Sequence, residues 1–68
     1  MIVAIFGASG GIGRFAVKHA LLKGHQVRAF LRNPSKLETR HENLFIIKGE
    51  INRYEDVRNA VDGCDAVI

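Results

Sequence analysis

The sequence predicts an α/β fold: a parallel sheet, doubly wound with helices, in the strand order 3-2-1-4. Three observations carry that prediction. Short apolar runs rich in β-branched residues recur along the chain, stretches of helical periodicity separate them, and glycines stand at the joints. Strands that alternate with helices pair in parallel through right-handed crossovers. The expected order is β-α-β-α-β-α-β over residues 1–68, with the first strand inside the sheet.

Each element has its own signal. Ile2 to Phe6 (IVAIF) is continuously apolar and bounded by Gly7, the pattern of a strand buried on both faces. From Ile12 the spacing becomes helical: Ile12, Phe15, Ala16, His19 and Ala20 share one face, and Gly24 stops the helix. Gln26 to Leu31 sets Val27, Ala29 and Leu31 at period two, a second strand. Asn33 is a good cap and Pro34 a good first helical residue, so a short helical turn is expected from Pro34 to about Thr39. Leu44 to Ile47 (LFII) is the third strand, closed by Lys48, Gly49 and Glu50. Asn52 with Glu55 imitates a capping box. Tyr54, Val57 and Val61 then predict the packing face of a helix that ends at Gly63. Asp65 to Ile68 (DAVI) begins a fourth strand.

Composition narrows the function classes. With 47% hydrophobic and 25% charged residues the chain is an ordinary globular one, not a disordered segment. A domain of this size buries only about 60% of its unfolded surface, and the apolar strands of such a half-sheet expect further cover. Residues 1–68 are therefore expected to be the N-terminal part of a single larger domain. The alternative is a self-standing small fold that dimerises, a homo-oligomer. A lone cysteine, Cys64, makes no internal disulfide, and a reducing cytoplasm is the natural localisation. No apolar run approaches the roughly 20 residues that span a bilayer, and no basic region precedes the first run, so neither a membrane partner nor a signal peptide is expected. Ten Lys and Arg against seven Asp and Glu give +3, but they are spread from Arg14 to Arg58. A nucleic-acid footprint would gather them on one stripe, so no nucleic acid is expected and a small phosphorylated ligand accounts for the charge. His19, His25 and His41 have no metal-ligand spacing with Cys64, and no metal site is expected.

Gly7, Gly10, Gly11 and Gly13 lie between a predicted strand and a predicted helix, the context that gives a glycine pattern its meaning. Glycines permit a tight turn and let backbone approach a pyrophosphate without Cβ clashes. Amides at the helix start, aided by its dipole, then hold the phosphates. Ser9 can add a hydroxyl, and Ile12 lies within the same first turn. A glycine-rich turn that merely joins strand to helix is the plainer reading, yet four glycines in seven positions exceed what a turn requires. A Walker loop is excluded, because the turn runs into Gly13 and Arg14 with no GK[ST].

Arg32 follows the second strand, where an acidic residue would bind a ribose 2′-hydroxyl and a basic one a 2′-phosphate. NADP is thereby favoured over NAD. Lys36, one helical turn on, can add a point charge. Both residues also read as solvated surface cations.

The glycine spacing is GxxGxxG at Gly7, Gly10 and Gly13, and also GxxxGxG at Gly7, Gly11 and Gly13. Here the chain resembles the short-chain dehydrogenase/reductase superfamily. Together, GASGGIG, VRAFLRNPSKL and GEINRYEDVRNAVDGCDAVI are similar to its atypical, NAD(P)H-binding branch, which includes flavin reductase/biliverdin-IXβ reductase-like and NmrA-like members. The resemblance covers all 68 residues, about the first third of a typical member. It implies the N-terminal half of a Rossmann-type sheet, a nicotinamide dinucleotide cofactor and a parent oxidoreductase acting on a small molecule that these residues do not identify. It also places an Asp and an aliphatic residue beside the adenine; this chain has Glu50, one methylene longer, and Ile51. The Tyr and Lys pair that is catalytic in such families lies beyond the fourth strand, so no catalytic residue is expected here. Tyr54, with Arg58 four residues on, reads as packing. The expected function is the NADP(H)-binding segment of an NADPH-dependent oxidoreductase. The alternatives are a redox-sensing regulator that binds NADP(H) without turning it over, and a nonfunctional fragment.

Overall fold

A computed structural model describes residues 1–68, which form β1 (Ile2–Phe6), α1 (Gly11–Leu22), β2 (Gln26–Leu31), a 3-10 turn (Pro34–Lys36), β3 (Leu44–Lys48), α2 (Tyr54–Val61) and β4 (Ala66–Val67). The strands are parallel and ordered β3-β2-β1-β4, the order the sequence predicts.

Register explains how two layers of helix use one sheet. Val3 aligns with Val27 and Ala66, Ile5 with Ala29, and Ala29 with Ile46, so these side chains share one face. Helix α1 covers that face through Val17, Ala20 and Leu21, and Ala8 and Leu37 complete the core cluster. Ala4, Arg28 and Phe30 alternate with them and belong to the other face. There Ala60 of α2 is fully buried, and the Arg28 guanidinium donates to the carbonyls of Ala60 (3.3 Å) and Asp62 at the end of α2. Helices thus lie on both faces, the doubly wound arrangement.

Arg28 supplies what the end of α2 lacks, since the last carbonyls of a helix have no partner within it and its negative dipole end favours a cation. Replacing Arg28 with alanine is expected to destabilise the chain by about 1.5 kcal/mol, the scale of a hydrogen bond from a charged donor. Urea unfolding followed by circular dichroism measures it, and an unchanged midpoint would show that α2 docks without this tie.

Three sequence expectations are corrected. The expected face of α1 is rotated: Val17, Ala20 and Leu21 are buried and Ala16 half-buried, whereas Ile12, Phe15 and His19 are exposed. Gly13 sets the rotation, because α1 meets the Gly7 backbone there and residues three, four, seven and eight positions on face the sheet. Phe15 instead stacks on His19, their rings 6.3 Å apart, beside a groove of about 530 Å³ next to β4. Second, the short helical turn expected from Pro34 to about Thr39 forms, capped by Asn33, but as a 3-10 turn that stops at Lys36, the backbone being extended again at Leu37. Third, no capping box starts α2: Arg53 is the cap residue, without a side-chain bond, and Tyr54 is 79% exposed instead of packed. Ala60, too small to register in the spacing of larger residues, is what α2 buries. Cys64 is half-buried, its thiol donating to the Ala60 carbonyl at 3.4 Å.

No helix is long and apolar enough to cross a membrane.

Candidate cofactor-binding cleft

The C-terminal ends of β1, β2 and β3 open into a cleft of about 560 Å³. Three segments line it: Phe6, Gly7 and Ser9 after β1; Phe30, Leu31 and Arg32 at the end of β2; Gly49, Glu50 and Ile51 after β3. It lies beside the point where the chain reverses direction across the sheet, the connection from β1 leading to β2 on one side and the connection from β3 crossing to β4 on the other. Open α/β sheets bind ligands at such a switch point.

The first segment is shaped for an anion. Gly7 has φ +67°, a conformation favourable only to glycine, and its carbonyl accepts the Gly10 N–H at 3.0 Å. A Cβ on Gly13 would stand 2.0 Å from the Gly7 carbonyl oxygen, so the helix starts closer to the loop than any other residue permits. Gly10 caps α1 with no side-chain bond, and the first N–H to find a helical carbonyl is that of Arg14, on Gly10 at 2.8 Å. The N–H groups of Gly11, Ile12 and Gly13 therefore remain as free donors at the positive end of the helix dipole. No acidic residue stands in that turn to compete. The Arg14 guanidinium braces the loop by donating to the Ser9 carbonyl at 3.0 Å. The Ile12 side chain is 89% exposed and does not line the cleft, so this residue offers its backbone alone.

The second segment supplies charge. Arg14, Arg28 and Arg40 all donate to backbone carbonyls, whereas the exposed Arg32 at the cleft has no partner in the chain. The turn after it is held by Asn33, whose Oδ1 accepts from the Ser35 N–H (3.3 Å) and hydroxyl (2.7 Å). Lys36 ends that turn, exposed and outside the cleft lining.

The third segment is a wall. Glu50 is half-buried and Ile51 68% exposed at the rim. Beneath them, the rings of Phe6 and Phe30 meet edge to face, 5.0 Å apart at 64°. Phe6, Phe30, Leu31 and Gly49 enter the sequence reading only as parts or ends of strands, not as site residues; the signal that places them at the cleft is their position at or just beyond the C-terminal ends of β1, β2 and β3. Arg32 and Glu50 are the only titratable groups lining the cleft. The cleft thus offers a guanidinium for phosphate and an apolar floor and wall for a flat ring, while Gly11, Ile12 and Gly13, with their free amides at the helix start, follow Ser9 and Gly10 in the chain and lie outside its lining.

Fold and cleft together define a Rossmann-type nucleotide-binding unit. The family model described as NAD(P)H-binding matches residues 7–68, and the chain belongs to that family, in the atypical short-chain dehydrogenase/reductase group. It is 36% identical over 74 residues to cinnamoyl-CoA reductase 1 of Petunia hybrida, covering 97% of this chain and 22% of that protein. It is 38% identical over 69 residues to the photosystem II assembly factor Ycf39 of Trieres chinensis, covering 100% of this chain and 22% of that protein. Among solved structures, it is similar to a Rossmann-fold NAD(P)-binding family protein from Shigella flexneri, with TM-score 0.88, 29% identity, and coverage of 97% of this chain and 34% of that one. The chain thus spans about a fifth of the length of these curated relatives.

Proposed function

We propose that residues 1–68 form the adenine- and phosphate-binding segment of an NADP(H)-dependent oxidoreductase of the short-chain type. The observation that carries this reading is the convergence on one cleft of Gly7 and Ser9 from the glycine loop, the unpartnered Arg32 and the Glu50–Ile51 wall, with the uncapped start of α1 following that loop directly in the chain. In this reading the loop of Gly7, Ser9, Gly10, Gly11, Ile12 and Gly13 receives the pyrophosphate through its amides, with the Ser9 hydroxyl as a further donor. Arg32 grips the 2′-phosphate bidentately, as a planar guanidinium does. Lys36 adds long-range attraction from outside the cleft, and Glu50 and Ile51 flank the adenine. When bound, the cofactor supplies hydride transfer; this segment binds and orients its adenylate half. The residues that act on a substrate belong to the part of the protein beyond this segment. A reducing, cytoplasmic setting agrees with a single half-buried thiol.

The test is an amide NMR titration of the chain with NADP and with NAD, repeated for Arg32→Ala. Shifts at Gly7 to Gly13 and at Arg32, stronger for NADP, are expected. The variant is expected to lose about 1.5–3 kcal/mol of NADP affinity, the scale of hydrogen bonds to a charged group, with little change for NAD. Equal loss for both cofactors would refute the assigned role of Arg32.

A second reading, NADP(H) binding without turnover, draws on the match to a protein named as an assembly factor. Tight NADPH binding by the whole protein, without oxidation by flavin, quinone or carbonyl acceptors, is the result that favours it.

A further inference from the structure

Asp56 belongs to no motif, yet it is tied to the cleft. It is the third residue of α2, in the turn where the helix dipole favours a carboxylate. Instead of capping its own helix, it reaches six residues back: Oδ2 accepts the Glu50 N–H at 2.9 Å in a half-buried setting. The same peptide segment is held from its other side, since the Glu50 carbonyl accepts the Arg53 N–H at 3.0 Å. One residue earlier, the Gly49 N–H donates to the Leu31 carbonyl at 3.2 Å, anchoring the segment to the end of β2. A Cβ on Gly49 would lie 2.6 Å from the Phe30 ring and 3.0 Å from the Asp56 Cβ. The missing side chain is what lets ring and carboxylate close in on either side.

We infer that Asp56 is a positioning residue, which fixes the Glu50–Ile51 wall by its hydrogen bond and so sets affinity for the 2′-phosphoadenosine half of the cofactor. The inference rests on the NADP(H) reading above. It adds that recognition at the adenine end depends on α2, an element that contributes no side chain to the cleft lining. Loss of the bond leaves the Glu50 amide without its acceptor and the residues after Gly49 held through one carbonyl only. Ile51, 68% exposed at the rim, then loses the tie that fixes the backbone immediately before it.

Adenosine 2′,5′-bisphosphate serves as the probe, titrated into the unmutated chain, D56N and D56A. Asparagine keeps an acceptor oxygen for the Glu50 N–H but removes the charge at the helix start; alanine removes both. The expected result is binding by D56N within about twofold of the unmutated chain, and by D56A about 3- to 10-fold weaker, the scale of one hydrogen bond. In D56A the amide resonances of Glu50 and Ile51 should move while that of Gly24, across the molecule, stays. Equal weakening in D56N and D56A would assign the effect to helix charge and overturn the inference, as would unweakened binding in D56A. A measurement without substitution guards against a D56A that does not fold: the Glu50 amide of the unmutated chain should exchange with solvent at least tenfold more slowly than that of Asn52. Equal exchange overturns the inference. If the unmutated chain does not bind the probe, the NADP(H) reading falls and this inference with it; intact binding in D56A removes this inference alone.

Discussion

Replacing Gly13 with alanine is expected to destabilise the chain by about 3 kcal/mol or more, at the upper end of what overpacking costs. In an ordinary helix interior the same change stabilises by up to about 1 kcal/mol, because glycine loses more backbone entropy on folding. Here the sign reverses. The new Cβ would stand 2.0 Å from the Gly7 carbonyl oxygen, 2.7 Å from the carbonyl carbon and 3.0 Å from the Ala8 Cα. All three are backbone atoms, so no side chain can rotate away; α1 must lift from the loop. Ala8 is fully buried and Val17 packs one turn along the same helix, so lifting α1 also opens the core. Typical stability for 68 residues is roughly 3–10 kcal/mol, so a loss of about 3 kcal/mol removes about a third of it or more and, at the low end of that range, unfolds about half of the population. Gly11→Ala is the control, since its Cβ meets nothing within 4 Å. Urea unfolding should show Gly11→Ala at or slightly above the unmutated chain and Gly13→Ala far below. Equal midpoints would refute the close approach of helix to loop on which the anion site depends.

That contrast also marks what the residues disclose on their own. Strand order was legible because it follows from alternation and crossover handedness, and the tight turn between β1 and α1 because four glycines in seven positions stand where an apolar run gives way to a helical period. Which face of α1 packs was not legible. Isoleucine and phenylalanine at positions 12 and 15 outweigh Ala16 and Val17 in any count of apolarity, yet Gly13 fixes the rotation through a contact with Gly7 that periodicity does not contain. The start of α2 misled for a related reason. Asn52 and Glu55 have the spacing of a capping box, but the nearby carboxylate of Asp56 is bonded to Glu50 instead. In the cleft, Gly7, Ser9, Arg32, Glu50 and Ile51 were legible, whereas the Phe6–Phe30 floor depends on cross-strand register, with Phe6 aligned to Phe30 across β1 and β2.

Leu37→Ala is expected to cost about 2–5 kcal/mol, the transfer free energy of a buried leucine plus the cavity it leaves. Leu37 is fully buried and belongs to the core cluster under α1. It is also the only buried residue in the connection between β2 and β3, residues 32–43. The backbone is gathered around it: its N–H donates to the Pro34 carbonyl at 3.2 Å, and the Leu37 carbonyl accepts from the Arg40 guanidinium at 2.7 Å. One side chain thus docks a long surface segment that begins with Arg32. At about 4–8 °C per kcal/mol for a chain of this size, the melting temperature should fall by roughly 10 °C or more. Leu22→Ala, at a position 86% exposed, should stay within about 0.5 kcal/mol of the unmutated chain. Thermal unfolding followed by circular dichroism separates the two. Should both variants melt together, the connection would not be docked through Leu37, and the Asn33 cap alone would hold the backbone that carries Arg32.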